Sequence, residues 1–347
     1  MSSPIPTAPS ASSTDVRPTG APSADAPSAP PVLAEIVRSG FVEGYHRGSM
    51  VVTAADGSVE YALGDVDSPI FPRSCNKPLQ AAAVLRAGLD LEGERLALAA
   101  ASHSGEPFHL ELVERMLAEH GLRAEQLQCP EDLPLDREEA DRRLAAGHSA
   151  SRVAMNCSGK HTAMLAACLH KGWPLDSYLE LAHPLQQSTV ETVAQAAGEP
   201  VAHIGVDGCG APLMAISLTG LARAFRTLVT SPADSAERRV ADAMRAHPEY
   251  VAGTRRHDTA LMHAVPGALA KMGAEAVQAV ALADGRALAF KIEDGGVRAL
   301  PPVLATALRS RLAVDSGLPE TVPLLGGGRP VGELRAVRQP PRTVAAG

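Results

Sequence analysis

Long apolar runs are missing from this 347-residue sequence. The longest, such as Leu96 to Ala101 and Val277 to Ala283, fall far short of the roughly 20 residues a helix needs to cross a bilayer. A soluble chain is therefore expected, with no membrane partner. An excess of positive charge is missing too. The 32 Lys and Arg residues stand against 39 Asp and Glu, a formal net charge of -7, which offers no electrostatic footprint for nucleic acid or an anionic surface. A small polar or cationic ligand suits this balance better. Cysteine is sparse: five residues, an odd number without the dense spacing of a secreted disulfide scaffold, which points to a reducing, cytoplasmic compartment. Lysine is scarcest of the charged residues, five among 32 cations. Arginine fills the surface role, so a lysine here reads as chosen for an amine that can lose its proton when buried, as a guanidinium cannot. Lys77, Lys160 and Lys271 all fall in the segments singled out below.

What is present is a 45% hydrophobic chain, enough for one large core or two smaller ones. Residues 1–31 carry eight prolines among Ser, Ala and Thr, with neither the basic start nor the apolar segment of a signal peptide. They are expected to be a disordered tail. From 32 to 347 no linker or repeat stands out, and a single unit is expected. Strands are predicted over about 32–65, including Ser49 to Thr53 and Ser58 to Leu63 joined by a hairpin turn. A mainly helical part follows over about 78–270, with helices at Leu79 to Leu89, Phe108 to Ala118, Glu138 to Ala146, His161 to Lys171, Gln186 to Ala197, Thr219 to Leu228 and Ala236 to Ala246. Strands return over about 275–337, with a second hairpin across Asp284-Gly285. A lone hairpin is only marginally stable, so the two ends are expected to pair into one antiparallel sheet of an α+β fold, with the helical region inserted between them.

Four segments carry chemistry. In Arg73-Ser74-Cys75-Asn76-Lys77-Pro78 the serine and lysine, three apart, are expected on one face of a first helical turn. A desolvated Lys77 could take the Ser74 proton there, and the helix N-terminus would favour charge developing on an attacked group. The bland reading is a serine N-cap. Ala101-Ser102-His103-Ser104-Gly105-Glu106-Pro107 crowds polar groups between two helices, either as caps or with Ser102 as a second reactive hydroxyl. Asn156-Cys157-Ser158-Gly159-Lys160-His161 and Asp207-Gly208-Cys209 place two thiols in polar, turn-like settings. Thiolates and a neutral amine suit zinc, although Cys-x-x-Lys is no standard signature and a buried structural cysteine is the plainer account. Around Arg255 to Lys271 an amphipathic stretch is interrupted at Pro266, and Lys271 alone would pass for a solvated lysine.

Together these segments, with Glu43 to Arg47, Tyr61 to Gly64, His247-Pro248-Glu249 and Val251-Ala252-Gly253, match in order and spacing over nearly all of residues 33–337. The chain resembles the class 3, Rhizobium etli-type inducible L-asparaginases. That resemblance implies a serine β-lactamase and glutaminase-like fold, a homodimer, and an L-asparaginase acting on the side-chain amide of L-asparagine. It implies two Ser-Lys pairs in one cleft, Ser74 with Lys77 and Ser102 with Lys271. Cys157, Lys160 and Cys209 would hold zinc that supports the pocket rather than supplying the nucleophile. Arg47, Arg73, Asp207 and His161 are the candidates for contact with substrate. The Lys-Thr-Gly motif of penicillin-recognising enzymes is absent, which argues against β-lactamase activity. The Pro-rich tail, Arg256 to Thr259 and Gly326 to Gly328 depart from the Rhizobium type, leaving two rivals: a glutaminase or other serine amidase on the same fold, and a non-catalytic zinc-binding protein.

Overall fold

A computed structural model describes residues 29–338; the expected disordered tail lies almost wholly outside these residues. In chain order the strands are β1 (Val32–Arg38), β2 (Phe41–Thr53), β3 (Val59–Leu63), β4 (His203–Val206), β5 (Pro212–Ala215), β6 (Leu269–Gly273), β7 (Val277–Ala281), β8 (Ala287–Ile292), β9 (Thr321–Gly326) and β10 (Arg329–Ala336). The helices are α1 (Lys77–Arg86), α2 (Gly93–Ala99), α3 (Pro107–Glu119), α4 (Arg137–Ala145), α5 (Ser158–Lys171), α6 (Pro184–Ala197), α7 (Leu218–Thr230), α8 (Ala236–Ala246), α9 (Pro248–Val251), α10 (His257–Ala264) and α11 (Leu300–Leu312).

The α+β arrangement expected from the sequence is present. Strands from both chain ends form one antiparallel sheet in the order β6-β7-β8-β2-β1-β10-β9, with β3 also on β2. The two ends meet directly, Ala34 opposite Ala336. Strand β2 serves two neighbours in turn: its first half pairs with β1, and from Gly48 onward it pairs with β8. Glycine is required at that changeover, because a Cβ on Gly48 would lie 2.0 Å from the Lys291 carbonyl oxygen. All five residues of β7 are buried, as befits a strand covered on both faces. Helix α7 packs on β2, β7 and β8, and Ser217 caps it by accepting from the Gly220 amide at 2.8 Å, satisfying one of the free donors of its first turn.

Three local features differ from expectation. The returning sheet begins at Leu269 rather than near 275, because Pro266-Gly267 ends the amphipathic run and the chain re-enters extended. Lys271 is consequently a fully buried strand residue, not a solvated one. The glycine-flanked Asp207 to Gly210 turn joins a small separate hairpin, β4-β5, within the helical part. Residues 73–76 form a 3-10 turn, and α1 begins only at Lys77.

Candidate active site

Helix α1 packs on α5, and α2 packs on both α1 and α5, so the start of α1, the segment after α2 and the start of α5 come together. Strand β6 contacts the 3-10 turn before α1 and closes the site from the sheet side. This close approach depends on a second glycine. A Cβ on Gly273 would meet the Pro72 carbonyl oxygen at 2.3 Å and the Cys75 sulfur at 3.3 Å. The turn itself is strained: Arg73 has φ of 53°, in the left-handed region that a side-chain-bearing residue seldom adopts.

Lys77 donates to the Ala101 carbonyl oxygen at 2.7 Å and to Ser102 Oγ at 2.8 Å. Lys271 donates to the Met272 carbonyl oxygen at 2.8 Å and reaches the same Ser102 Oγ at 3.1 Å. Two buried amines therefore share one hydroxyl. Burial and the neighbouring Lys77 push Lys271 down to about 8, partly opposed by Asp258. Ser74, in the 3-10 turn that leads into α1, is half-buried, and its hydroxyl has no hydrogen-bond partner among the described residues. Ser74 and Lys77 share one 3-10 turn, the Lys77 amide donating to the Ser74 carbonyl oxygen, a spacing that brings side chains three apart to one face, yet no hydrogen bond joins the two side chains among the described residues. The ammonium reaches Ser102 instead.

Next to this chain sits the thiol cluster. Lys160 Nζ donates to Cys209 Sγ at 3.1 Å, and the Cys209 sulfur also lies 3.6 Å from Asp207 Oδ2. A hydrogen bond from Cys157 and the Lys160 ammonium pull the Cys209 thiol down against its burial. Cys157 moves the other way, held protonated by that hydrogen bond and by burial. Despite burial, the two sulfurs keep Lys160 protonated. His161 Nδ1 pairs with the Tyr178 hydroxyl at 2.7 Å, and burial pushes the ring down to about 4. Its Nε2 is buried without a hydrogen-bond partner, facing the Cys209 sulfur. Two sulfurs and an orphaned imidazole nitrogen are donor types that zinc takes, and the Lys160 amine would join them only on losing its proton. Among the described residues no group of three or more His, Cys, Asp and Glu is disposed to hold a metal ion, so Lys160 would have to be one of the donors.

Arg73 donates to Asp207 Oδ1 at 2.8 Å, tying the turn that carries Ser74 to the loop that carries Cys209. It also lines a cavity of about 660 Å³ bounded by Phe71, His203, Leu213, Glu275 and Lys291. Arg47 lies elsewhere. On β2 it donates to the Pro30 carbonyl oxygen at 2.9 Å and stacks 5.8 Å from the Tyr45 ring centre, with no hydrogen bond or ion pair to the cluster among the described residues. Sequence reasoning passed over two contributors. His103 Nε2 bonds Ser158 Oγ at 2.8 Å, linking the Ser102 segment to α5. Asp258, fully buried, accepts from the Met272 amide at 2.8 Å beside Lys271. Only the polar run in which His103 sits, and a carboxylate in the first turn of α10, hinted at them.

A family model described as L-asparaginase II matches residues 34–336. No curated protein matches the chain at a significant level. Similar solved structures include a beta-lactamase from Mycobacterium bovis, 16% identical over 75% of this chain and 93% of that one, TM-score 0.42. Mglu in its L-glutamate binding form is 14% identical over 77% of this chain and 61% of its own, TM-score 0.40. EstCE1, a hydrolase with promiscuous acyltransferase activity, is 14% identical over 73% of this chain and 91% of its own, TM-score 0.38. This chain thus spans only 61% of the Mglu chain, and at these TM-scores nothing further is drawn from the likeness.

Proposed function

The chain belongs to the L-asparaginase II family, and from that premise we propose that it hydrolyses the side-chain amide of L-asparagine to L-aspartate and ammonia through a serine ester. The observation that carries the reading is the Lys77–Ser102–Lys271 chain, two buried amines on one hydroxyl, with Ser74 three residues ahead of Lys77 in the same 3-10 turn. A general base must be neutral and within reach. Two adjacent ammonium ions in a dry site repel, so the pair favours one shared proton. A neutral Lys77 can donate its two N–H to the Ala101 carbonyl oxygen and to Ser102 Oγ, which leaves its lone pair to accept the Ser74 proton.

Ser74 oxygen then attacks the amide carbon. The Ser74 proton passes to Lys77 and on to the departing nitrogen, which leaves as ammonia. Water hydrolyses the resulting aspartyl ester, giving its proton to the same amine and restoring the Ser74 hydroxyl. Arg73 and Asp207, paired with each other at 2.8 Å, supply the two charges that an amino-acid zwitterion needs, a guanidinium fork for the carboxylate and a carboxylate for the ammonium.

In this reading Cys157, Lys160 and Cys209 hold zinc, with Lys160 giving up its proton on binding. The ion would supply a fixed positive charge that orders this wall of the pocket. The protein itself keeps Asp207 and Arg73 in register from the Cys209 loop.

Ammonia release from asparagine is the deciding assay. Ser74→Ala is expected to abolish it, and turnover unchanged by that substitution would refute the assignment. Equal or reversed preference for glutamine would favour the glutaminase alternative. A second reading has Ser102 as the nucleophile, favoured by its hydroxyl being the one both amines touch. Trapping the ester and finding the acylated peptide by mass spectrometry separates the two, since Ser74 and Ser102 fall in different peptides.

A further inference from the structure

We propose that the cavity beside Arg73 is a second subsite that admits peptides with an amino-terminal asparagine: Lys291 holds the free carboxylate of the following residue, and the apolar wall takes that residue's side chain. The inference rests on the reading above, in which Arg73 and Asp207 receive the amino-acid end of the substrate, and it widens the substrate class of that same site.

The cavity adjoins the nucleophile through the chain itself. Ile70, Phe71 and Arg73 line it, and Ser74 follows directly in the 3-10 turn. Val206 and Leu213, from the β4-β5 hairpin, line it too, and Asp207 comes next after Val206. The volume, about 660 Å³, falls within the roughly 300–1,000 Å³ of pockets that take ligands much larger than one amino acid. Val206 is 79% exposed, so a ligand side chain laid on it removes apolar surface from water.

The charges favour a peptide over a free amino acid. Arg73 is already matched by two carboxylates, Asp207 at 2.8 Å and Glu275 at 3.8 Å. Lys291, on β8, lines the same cavity and is not matched. Its Nζ donates only to carbonyl oxygens, Glu275 at 2.9 Å and Ile292 at 3.4 Å, and it makes no ion pair among the described residues. Burial weakens its hold on its proton; Glu275 opposes this, and the nearby Arg73 guanidinium adds to it. An ammonium has three donors, so one remains for an anion that would relieve both effects. In an asparaginyl peptide the α-carboxylate becomes a neutral carbonyl, which suits an Arg73 whose charge is already met. The amino group stays free for Asp207. The free carboxylate moves on by one residue, at most about 3.6 Å of chain, and Lys291 is the cavity's cation without an anion. The bond broken is unchanged. Ser74 oxygen attacks the side-chain carboxamide carbon, ammonia leaves, and water hydrolyses the ester, so asparaginyl-leucine becomes aspartyl-leucine with its peptide bond intact.

The test measures ammonia release by the full chain from L-asparagine, from L-asparaginyl-L-leucine, and from that dipeptide with its carboxylate blocked as the amide. Wild type and Lys291→Met are compared, and mass spectrometry identifies aspartyl-leucine as the product. Wild type is expected to turn over asparaginyl-leucine and to use the blocked peptide roughly tenfold or more less well, because a charge-assisted hydrogen bond is lost. Lys291→Met should lower kcat/KM for asparaginyl-leucine by a similar factor, mainly through KM. It should leave asparagine turnover unchanged and erase the difference between free and blocked peptide. A lysine that served only the fold would lower all three substrates alike, and that result overturns the proposal. So does a wild type that uses asparagine but not asparaginyl-leucine, or that uses free and blocked peptide equally. These wild-type comparisons decide the matter even where Lys291→Met fails to fold. Failure of the underlying reading is distinct, because it would show as no ammonia from asparagine or either peptide, or as full turnover in Ser74→Ala.

Discussion

Replacing Lys271 by methionine separates what this residue does for chemistry from what it does to stability. Its amine falls from 10.5 to about 8 in the folded protein. A lysine whose folded-state pKa is depressed opposes folding at any pH below that folded value, and the opposition disappears as pH rises through the unfolded value. At pH 7 the shift corresponds to about 3 kcal/mol of destabilisation. Methionine has similar length and no charge, so it relieves this penalty. Against that gain, the Met272 carbonyl oxygen loses its donor, which costs about 1–3 kcal/mol, and Asp258 loses a compensating charge. The sum predicts a variant about as stable as wild type at pH 7, or more stable by up to about 2 kcal/mol, yet catalytically dead.

The sharper quantity is the difference between the two proteins as a function of pH, since other titrations cancel. Urea unfolding of both at intervals from pH 7 to 11 should show wild type gaining about 3 kcal/mol on the variant across the window from about 8 to 10.5. A gap that stays constant with pH would refute the assignment of a depressed amine at this position. Loss of more than about 3 kcal/mol at pH 7 would show instead that Lys271 is held as a structural cation. Retained ammonia release would remove it from the proposed mechanism.

Other outcomes are expected as follows. Gly273→Ala forces a Cβ to within 2.3 Å of the Pro72 carbonyl oxygen, so it should destabilise by about 1–3 kcal/mol and lower kcat by displacing the Ser74 turn; calorimetry and kinetics check both. Cys157→Ala and Cys209→Ala should each lose zinc by metal analysis and keep reduced activity, and equal zinc content in wild type and both variants would remove the metal reading. Asp207→Asn removes the carboxylate charge from the 2.8 Å contact with Arg73 while leaving an oxygen to accept there, and should raise KM for asparagine more than it lowers kcat; an unchanged KM would take Asp207 out of substrate binding.

How much of this was legible in the sequence depended on whether the relevant signal was local. The sheet built from both chain ends was legible, because Asp284-Gly285 and the Ser49 to Leu63 alternation are short-range hairpin signals. The segment carrying Lys271 was not, because Pro266-Gly267 hides a change from helical to extended chain inside one amphipathic run and a buried lysine mimics a solvent-facing one. The partnership of Ser74 with Lys77 rested on helical spacing, which the 3-10 turn retains, but that the amine's own hydrogen bonds run to Ala101 and Ser102 had no local signal. That Lys77 and Lys271 meet on Ser102 follows from tertiary packing between α1, α2 and β6, for which no sequence period exists. Likewise the bond from the Met272 amide to Asp258 joins α10 to β6 across 14 residues of chain.

The spacing of Lys271 from Ser102, 169 residues along the chain, bears on how this protein comes into being. A growing polypeptide acquires both serines, Lys77 and the entire thiol cluster before β6 has been made. Contacts so distant in sequence are late and slow to form, so partly folded or truncated chains would hold nearly every reactive group without the second amine on Ser102. On the proposed mechanism, chemistry is then withheld until the chain closes, when β6 docks against the Ser74 turn and β10 joins β1. The same topology suggests where the molecule could be divided. A fragment ending in the turn at Pro266-Gly267 and another beginning there should each be silent alone and regain turnover when mixed, making recovery of activity a direct readout of sheet completion.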